Sequence, residues 1–169
     1  MEASQRFRIV EATPDDVGPI VDMIEALAEY EKLRHLCVVT EARLHAALFG
    51  ARPAAEVVIG REGSIPVAFA LFFHNFSTFL GQKGLYLEDL FVRPPFRRRG
   101  YGRALLVHLA RVAVERGCGR FEWAVLDWNV SAQSFYESLG AIVLTDWRIN
   151  RVTGPALEEL AAQPLLGAR

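Results

Sequence analysis

The sequence predicts a mixed α+β fold, layered α/β/α, in which helices cover both faces of one sheet. Hydrophobic residues recur at helical spacing in some stretches and form short apolar runs in others, with Gly or Pro turns between them. The elements follow the order β, α, α, three β, α, β, α, β. The 169 residues are 51% apolar and contain no repeat or long linker. We therefore expect a single domain over residues 1–169, with frayed tails at 1–5 and 163–169.

The N-terminal part of the chain predicts two helices flanked by strands. Thr13 is suited to an N-cap and is followed by Pro14 at the first helical position, which opens a helix that continues to about Tyr30. A second helix follows Thr40 and stops at Gly50. Short apolar runs bounded by turn residues predict strands at 7–12, 55–60, 66–74 and 85–92.

The C-terminal part predicts alternating helices and strands. A helix at 101–116 carries an apolar stripe and ends at the glycine C-cap Gly117. The remaining predicted elements are a strand at 121–126, a helix at 130–139, strands at 141–145 and 147–152, and a short helix within 153–169.

A basic glycine turn joins the strand at 85–92 to the helix at 101–116. Its residues Arg97, Gly100 and Gly102 fit the pattern RxxGxG. Glycine lets the backbone approach a ligand, and the amides of a helix's first turn carry partial positive charge, so such a turn suits a diphosphate. The spacing excludes the Walker and dinucleotide-binding loops. RxxGxG alone also fits a solvated arginine turn at the start of a helix. Only the flanking segments of the sequence can distinguish this interpretation from a diphosphate-binding turn.

Two adjacent carboxylates, Glu88 and Asp89, lie within an otherwise apolar strand. Alternation along a strand predicts that their side chains face opposite sides of the sheet. A carboxylate that is desolvated there has a raised pKa and becomes a usable base, whereas an ion pair at a sheet edge is the alternative.

Asn129 and Tyr136 follow the strand at 121–126. Asn129 begins the next helix, where its side chain can cap the helix or bind an amide of a ligand. Tyr136 lies about 100° around that helix from Phe135, so its phenol can reach a cleft or stay half-buried at the surface.

Composition and charge weigh against several classes of function. The net charge of −1 and the pI of about 6.4 argue against a nucleic-acid-binding surface. Cys37 and Cys118 have no paired spacing and the histidines have no ligand spacing, so we expect no disulfide and no metal. No apolar run is long enough to span a bilayer, and we expect a cytoplasmic protein that binds no membrane. The acidic residues between positions 15 and 31 fit either a site opposite in charge to the basic turn or a solvated helix face.

Four segments in order resemble the GNAT superfamily of acetyl-CoA-dependent N-acetyltransferases: LYLEDLFV, RxxGxG opening a helix, AVLDWN and SFYESLGA. The match covers nearly the whole chain. The motifs YLED, LDWN and FYESLGA are similar to those of the diamine acetyltransferases, especially the thialysine N-acetyltransferases. Four motifs in the same order are far more specific than any one of them.

The resemblance implies a mostly antiparallel GNAT-type sheet whose fourth and fifth strands splay apart, with acetyl-CoA in the gap. It implies direct attack of a primary amine on the thioester through a tetrahedral intermediate, with Tyr136 as the acid and Glu88 helping to deprotonate the amine. The implied cofactor-binding residues are Leu90, Phe91, Val92, Arg97, Arg98, Arg99, Gly100, Tyr101, Gly102, Arg103, Asn129 and Tyr136. The implied substrate-binding residues are Tyr30, Glu31, Glu88, Asp89, Trp128 and Asp146. The family is commonly homodimeric, and we expect a homodimer.

The chain departs from the polyamine-specific members in the loop at 74–84, which has no carboxylate. A lysine-like amino acid is therefore at least as good an acceptor candidate as a diamine or polyamine. Asp146 is the only acid left before Trp147 to meet a second ammonium group. The alternatives are another acceptor (a protein N-terminus, an antibiotic or an aryl amine), a CoA-binding regulatory module without turnover, and a nucleotide or nucleic-acid binder that uses the basic turn.

Overall fold

The computed structural model describes residues 6–165 of the chain. These residues belong to two compact units, Met1–Ala124 and Val125–Arg169. The predicted tail at 1–5 and residues 166–169 of the predicted C-terminal tail lie outside the described residues. The single domain over 1–169 stays a prediction.

The first unit is built on one five-stranded sheet with helices on both faces. The strands are β1 (Phe7–Glu11), β2 (Glu56–Glu62), β3 (Ile65–Ser77), β4 (Gln82–Val92) and β5 (Phe121–Trp123). The α-helices are α1 (Val17–Tyr30), α2 (Glu41–Phe49) and α3 (Tyr101–Glu115), with short 3-10 helices at Pro14–Asp16, Arg34–Leu36 and Pro94–Phe96. The strands lie in the order β1-β2-β3-β4-β5, and all pairs are antiparallel except the parallel pair β4–β5. The predicted fold class is confirmed.

The main core lies between α1, α2 and one face of the sheet. Ile20 of α1 is fully buried there against Phe69 of β3 and Phe91 of β4. α3 covers the opposite face, because its Gly102 lies against Leu90, the strand neighbour of Phe91. Each fully buried large apolar side chain contributes about 1.5–3 kcal/mol, so burial on both faces holds β4 in place.

Asp16 fixes the N-terminal end of α1. Its carboxylate accepts hydrogen bonds from the backbone nitrogen (2.9 Å) and the hydroxyl (3.1 Å) of Thr13, and it forms an ion pair with Arg61 on β2. The predicted solvated face is therefore wrong for Asp16, which is buried, although the neighbouring Asp15 is exposed. Burial is tolerated because Arg61 and Thr13 supply the partners that a buried carboxylate needs.

Replacing Asp16 with alanine is expected to lower the free energy of unfolding by about 3–5 kcal/mol, because Arg61 is then left without its counter-charge. Urea unfolding of the variant and the unaltered protein measures the difference. Asp15→Ala is the matched control, and we expect it to stay within about 0.5 kcal/mol of the unaltered protein. Equal losses in the two variants would contradict the role of Asp16.

The second unit contains α4 (Val130–Glu137) and α5 (Pro155–Ala161). The predicted strands at 141–145 and 147–152 are wrong, since these described residues form no strand. Their apolar pattern resembles that of a strand, but a strand also needs a paired backbone and a covered face. Ile142 is 81% exposed and Trp147 is 75% exposed, so neither condition is met in this unit. No helix within residues 6–165 is long and apolar enough to cross a membrane.

Candidate functional site

β4 and β5 are paired only where they begin. The parallel pairing covers Leu85–Leu87 of β4 and Phe121–Trp123 of β5. β5 ends at Trp123, short of the predicted boundary at 126, whereas β4 continues to Val92. The second half of β4 therefore has β3 on one edge and no strand of the described chain on the other. This is the predicted splay between the fourth and fifth strands.

The hydrogen-bond register shows which backbone groups face the open edge of β4. In an antiparallel pair, residues that bond across the ladder alternate with residues whose backbone groups point to the other edge. The backbone nitrogen of Arg93 donates to the carbonyl of Val67 at 2.9 Å, so Phe91, two residues earlier, also bonds to β3. Leu90 and Val92 therefore direct their backbone groups to the open edge. Of the three residues expected to bind a coenzyme through their backbone, these two have the required orientation.

β4 contains a bulge at Glu88. Leu71 of β3 pairs with Asp89, and the next residue, Phe72, pairs with Leu87, which leaves Glu88 without a partner across the ladder. A bulge of one extra residue breaks the alternation of side chains between the two faces. The prediction that Glu88 and Asp89 face opposite sides rested on regular alternation, which the bulge interrupts, and it stays a prediction.

Asp89, rather than Glu88, is the carboxylate shielded from solvent. The Glu88 side chain is exposed and Asp89 is partly buried. Burial, followed by the nearby charges of Glu88 and Glu31, raises the pKa of Asp89 to about 6. Burial also raises the pKa of Glu31, which follows Tyr30 at the C-terminal end of α1. The first unit thus brings three of the expected substrate residues into electrostatic contact.

The glycine turn presents the first amides of α3 without a side-chain cap. Gly100 is the N-cap residue, with a φ of 82° in the left-handed region, and as a glycine it supplies no side-chain cap to the helix. A Cβ on Gly100 would meet no atom within 4 Å, so backbone conformation rather than crowding requires glycine here. Arg98 has a φ of 62°, so the turn contains two left-handed residues. Uncapped amides at the start of a helix attract anions.

The arginines of the turn divide into two kinds. Arg98 and Arg103 are exposed and make no ion pair within residues 6–165. Arg99 is already paired with Glu62, at 3.0 Å, and donates to the carbonyl of Pro95. The expected diphosphate contact of Arg99 therefore competes with an existing ion pair.

Arg97 turns back towards β4 and α1. Its Nε donates to the carbonyl of Val92 at 2.9 Å, and its guanidinium lies over the rings of Tyr30, at 4.9 Å, and Phe91, at 5.4 Å. Arg97 thereby connects the expected substrate residue Tyr30 to the start of the glycine turn. This hydrogen bond engages the carbonyl of Val92. Of the two residues that direct backbone groups to the open edge, only Leu90 is not bonded to Arg97.

The turn fits a diphosphate. Uncapped helix amides, a left-handed glycine with open space beside it, and the exposed guanidinium groups of Arg98 and Arg103 are the donors that such a group requires. Within residues 6–165, no cluster of three or more His, Cys, Asp or Glu side chains could hold a metal ion.

The second unit holds the other expected site residues. The Oδ1 of Asn129 accepts from the backbone nitrogen of Ala132 at 3.2 Å, so Asn129 caps α4. Tyr136 is partly buried and its ring packs against that of Phe135, with 5.4 Å between the centroids. Trp128 is half-exposed and Asp146 is exposed.

Sequence reasoning missed Glu62. The segment at 61–64 contains Gly and Ser and predicts a turn, whereas β2 continues to Glu62. An acid at the end of a strand carries no local signal, because its partners Arg99 and Tyr101 are far away in the sequence.

Comparison with known proteins agrees with this arrangement. The model of the acetyltransferase (GNAT) family matches residues 22–141. The chain is 40% identical to the thialysine N-epsilon-acetyltransferase of Mus musculus, over 92% of this chain and 98% of that protein. It is 37% identical to the L-ornithine N5-acetyltransferase NATA1 of Arabidopsis thaliana, over 90% of this chain and 87% of that protein.

The fold also matches solved structures. An integron cassette protein from the mobile metagenome of V. cholerae superimposes with a TM-score of 0.78 and 25% identity, covering 93% of this chain and 98% of that one. Because the family model covers most of the chain and the similarity to the two acetyltransferases extends over nearly all of it, the protein belongs to the GNAT acetyltransferase family.

Proposed function

We propose that the protein transfers the acetyl group of acetyl-CoA to a primary amine of a small molecule, such as a lysine-like amino acid or a diamine. The proposal depends on the order of features along one strand: a bulged carboxylate pair, an open backbone edge and an uncapped basic turn. Acetyl-CoA has the matching order, with a thioester at one end of an amide-bearing arm and a diphosphate at the other.

The open edge and the turn supply the cofactor contacts. The backbone of Leu90 bonds to the amide-bearing arm as a neighbouring strand would, and the amides that follow Gly100 bind the diphosphate. Arg98 and Arg103 add full positive charge. The resemblance to the family assigns Asn129 as a further contact to the coenzyme.

The carboxylates prepare the amine. An alkyl amine has a pKa of about 10.4 and is protonated at neutral pH, so it cannot attack a thioester until it loses a proton. Glu88 and Asp89 bind the ammonium form and accept that proton, directly or through a water molecule. Burial, with the charges of Glu88 and Glu31, raises the pKa of Asp89 to about 6, which suits a group that exchanges a proton near neutral pH. Tyr30 and Glu31 at the end of α1 complete the substrate side.

The remaining steps need an oxyanion donor and an acid. Attack by the amine places negative charge on the thioester oxygen, and the backbone N–H of Leu90, which points to the open edge, stabilises it. Collapse of the tetrahedral intermediate releases a thiolate, and Tyr136 donates a proton to it.

The relatives support a small amino acid as the acceptor. Two of them are named for thialysine and ornithine, which both carry a terminal primary amine and a carboxylate. The segment at 74–84, predicted as a loop, comprises the end of β3, a turn at 78–81 and the start of β4, and it has no carboxylate to hold the additional ammonium groups of a polyamine.

A panel of amines assayed for release of free CoA tests the function. We expect turnover with thialysine, lysine and ornithine, and a kcat/KM about tenfold lower for spermidine, since the segment at 74–84 has no acid to bind its additional ammonium groups. Mass spectrometry of the product locates the acetyl group on the terminal amine. Turnover only with peptide N-termini or aminoglycosides would overturn the acceptor class, and CoA binding with no turnover on any amine would indicate a regulatory module.

We further propose a cytoplasmic homodimer that acts without a metal and does not bind nucleic acid. Cys37 and Cys118 are both unpaired, which suits a reducing compartment. Large apolar side chains of the second unit are exposed, among them Ile142, Trp147 and Ile149, and a second copy of the chain would remove them from water.

A further inference from the structure

Glu62 links the C-terminal end of β2 to the glycine turn. Its Oε2 accepts a hydrogen bond from the hydroxyl of Tyr101 at 2.5 Å, and the same carboxylate pairs with Nη1 of Arg99 at 3.0 Å. Arg99 and Tyr101 flank Gly100, the left-handed N-cap of α3. One carboxylate therefore holds both neighbours of the residue at which the turn becomes a helix.

The Tyr101 ring is held on a second side by β1. The rings of Phe7 and Tyr101 are stacked, with 3.9 Å between their centroids and 6° between their planes. Gly60 on β2 makes this possible, because a Cβ there would lie 2.6 Å from the Phe7 ring. The hydrogen bond to Glu62 raises the pKa of Tyr101, so its phenol stays protonated as a donor. The first residue of α3 thus has a fixed ring and a fixed hydroxyl.

We infer that Glu62 and Tyr101 are positioning residues, which orient the first amides of α3 towards the diphosphate of acetyl-CoA, and that Arg99 braces the turn instead of binding phosphate. This inference rests on the proposed function. The amides that follow Gly100 belong to the helix whose first residue is held by Glu62 and Phe7, so their direction is set by β1 and β2. Without the contacts to Glu62 and Phe7, the glycine turn would keep its N–H donors, but nothing would fix their direction.

The charge of Glu62 separates positioning from a simple electrostatic effect. A carboxylate next to an anion-binding turn weakens binding through its field, so its removal would tighten binding of the coenzyme if the field alone mattered. Removal of a positioning group has the opposite effect. Glu62→Gln keeps the size of the side chain and removes its charge, and the sign of the change in KM for acetyl-CoA distinguishes the two cases.

Steady-state kinetics with two acyl donors tests the inference. We expect Glu62→Gln to raise the KM for acetyl-CoA about tenfold, with kcat within about twofold, because charge-assisted hydrogen bonds are lost at the turn. S-acetylpantetheine carries the same thioester without a diphosphate, and we expect its kcat/KM to be unchanged by the substitution. Tyr101→Phe keeps the stacked ring and loses the hydroxyl, and we expect the same rise in KM for acetyl-CoA.

Glu56→Gln is the matched control, because Glu56 lies at the other end of β2 and also pairs with an arginine, Arg116, at 2.5 Å. It should leave both donors unaffected. An unchanged or lowered KM for acetyl-CoA in Glu62→Gln, or an equal loss with both donors, would overturn the inference. If thermal unfolding shows that Glu62→Gln does not fold, the inference is tested with Tyr101→Phe instead. The same changes in the constants for acetyl-CoA and S-acetylpantetheine then support or overturn it. Absence of acetyl-CoA-dependent turnover in the unaltered protein would instead remove the proposed function and this role with it.

Discussion

Replacing Asp89 with asparagine is expected to give a protein that is more stable at neutral pH and much less active. Burial and the charges of Glu88 and Glu31 raise the pKa of Asp89 from 3.8 to about 6. The folded protein therefore disfavours the charged form of Asp89, the form that the proposed mechanism requires. Asparagine removes the charge and keeps the shape.

The sign of the stability change follows from proton linkage. Between pH 3.8 and about 6 the folded state holds the proton of Asp89 and the unfolded state has released it, so stability falls as the pH rises through this range. Above about pH 6 the whole cost is present, and at about 1.4 kcal/mol per pKa unit it amounts to about 2–3 kcal/mol. Urea unfolding should show this gain for Asp89→Asn at pH 8 and little difference at pH 3.5. Asp22→Asn, on the exposed face of α1, is the control and should show no such pattern.

Activity should change in the opposite direction. Loss of a general base typically costs about 10²- to 10⁴-fold in rate, and we expect a fall of that order in kcat/KM for Asp89→Asn. In the unaltered protein, kcat/KM should fall as the pH drops below about 6, since Asp89 then becomes protonated. Glu88→Gln removes a charge that raises the pKa of Asp89, so its acidic limb should move to lower pH. An acidic limb that does not move in Glu88→Gln would show that Asp89 is not the group that titrates.

Replacing Tyr136 with phenylalanine is expected to lower kcat by about 10²- to 10⁴-fold, because the departing thiolate then lacks a proton donor. The KM for acetyl-CoA should stay within about threefold, since a single hydroxyl is removed and the ring that packs against Phe135 is kept. Steady-state kinetics with saturating amine gives both constants.

Tyr86→Phe is the matched control for this variant. Tyr86 is also partly buried, and its ring packs against Phe73 with 5.2 Å between the centroids, but it has no role in the proposed chemistry. We expect its kcat within about twofold of the unaltered protein. If both tyrosine variants lose the same activity, the loss reflects packing, and a Tyr136→Phe enzyme with full kcat would assign the acid to another group.

The sequence predicted the helices and the sheet well where the signal was local. Thr40 caps α2 by accepting from Arg43, and Gly100 marks the start of α3, as their residue types indicate. Glycine C-caps and apolar stripes depend only on residues close together in the chain, so they can be recognised in a single sequence. The strand pattern at 141–152 is equally local, yet these residues form no strand, because a strand exists only with a partner.

The site was harder to predict because its decisive features depend on pairs of strands. The bulge at Glu88 is a property of the pairing between β3 and β4, and no residue type in the sequence predicts it. The raised pKa of Asp89 depends in part on the charge of Glu31 at the C-terminal end of α1, and the pairing of Arg99 depends on Glu62 at the end of β2. Sequence reasoning named the residues and could not tell which carboxylate is desolvated or which arginine is already engaged.

The extra residue at position 88 gives the two halves of β4 different neighbours on the edge that faces away from β3. Before it, the backbone nitrogen of Leu85 points towards β5, where it bonds to the carbonyl of Arg120 at 3.0 Å. After it, the alternation has shifted by one residue, and Leu90 directs its backbone groups to the edge of β4 where no strand within residues 6–165 pairs with it. The sheet is therefore unfinished at a defined place beside two acids, and under the proposed function the coenzyme takes the position that another strand would occupy.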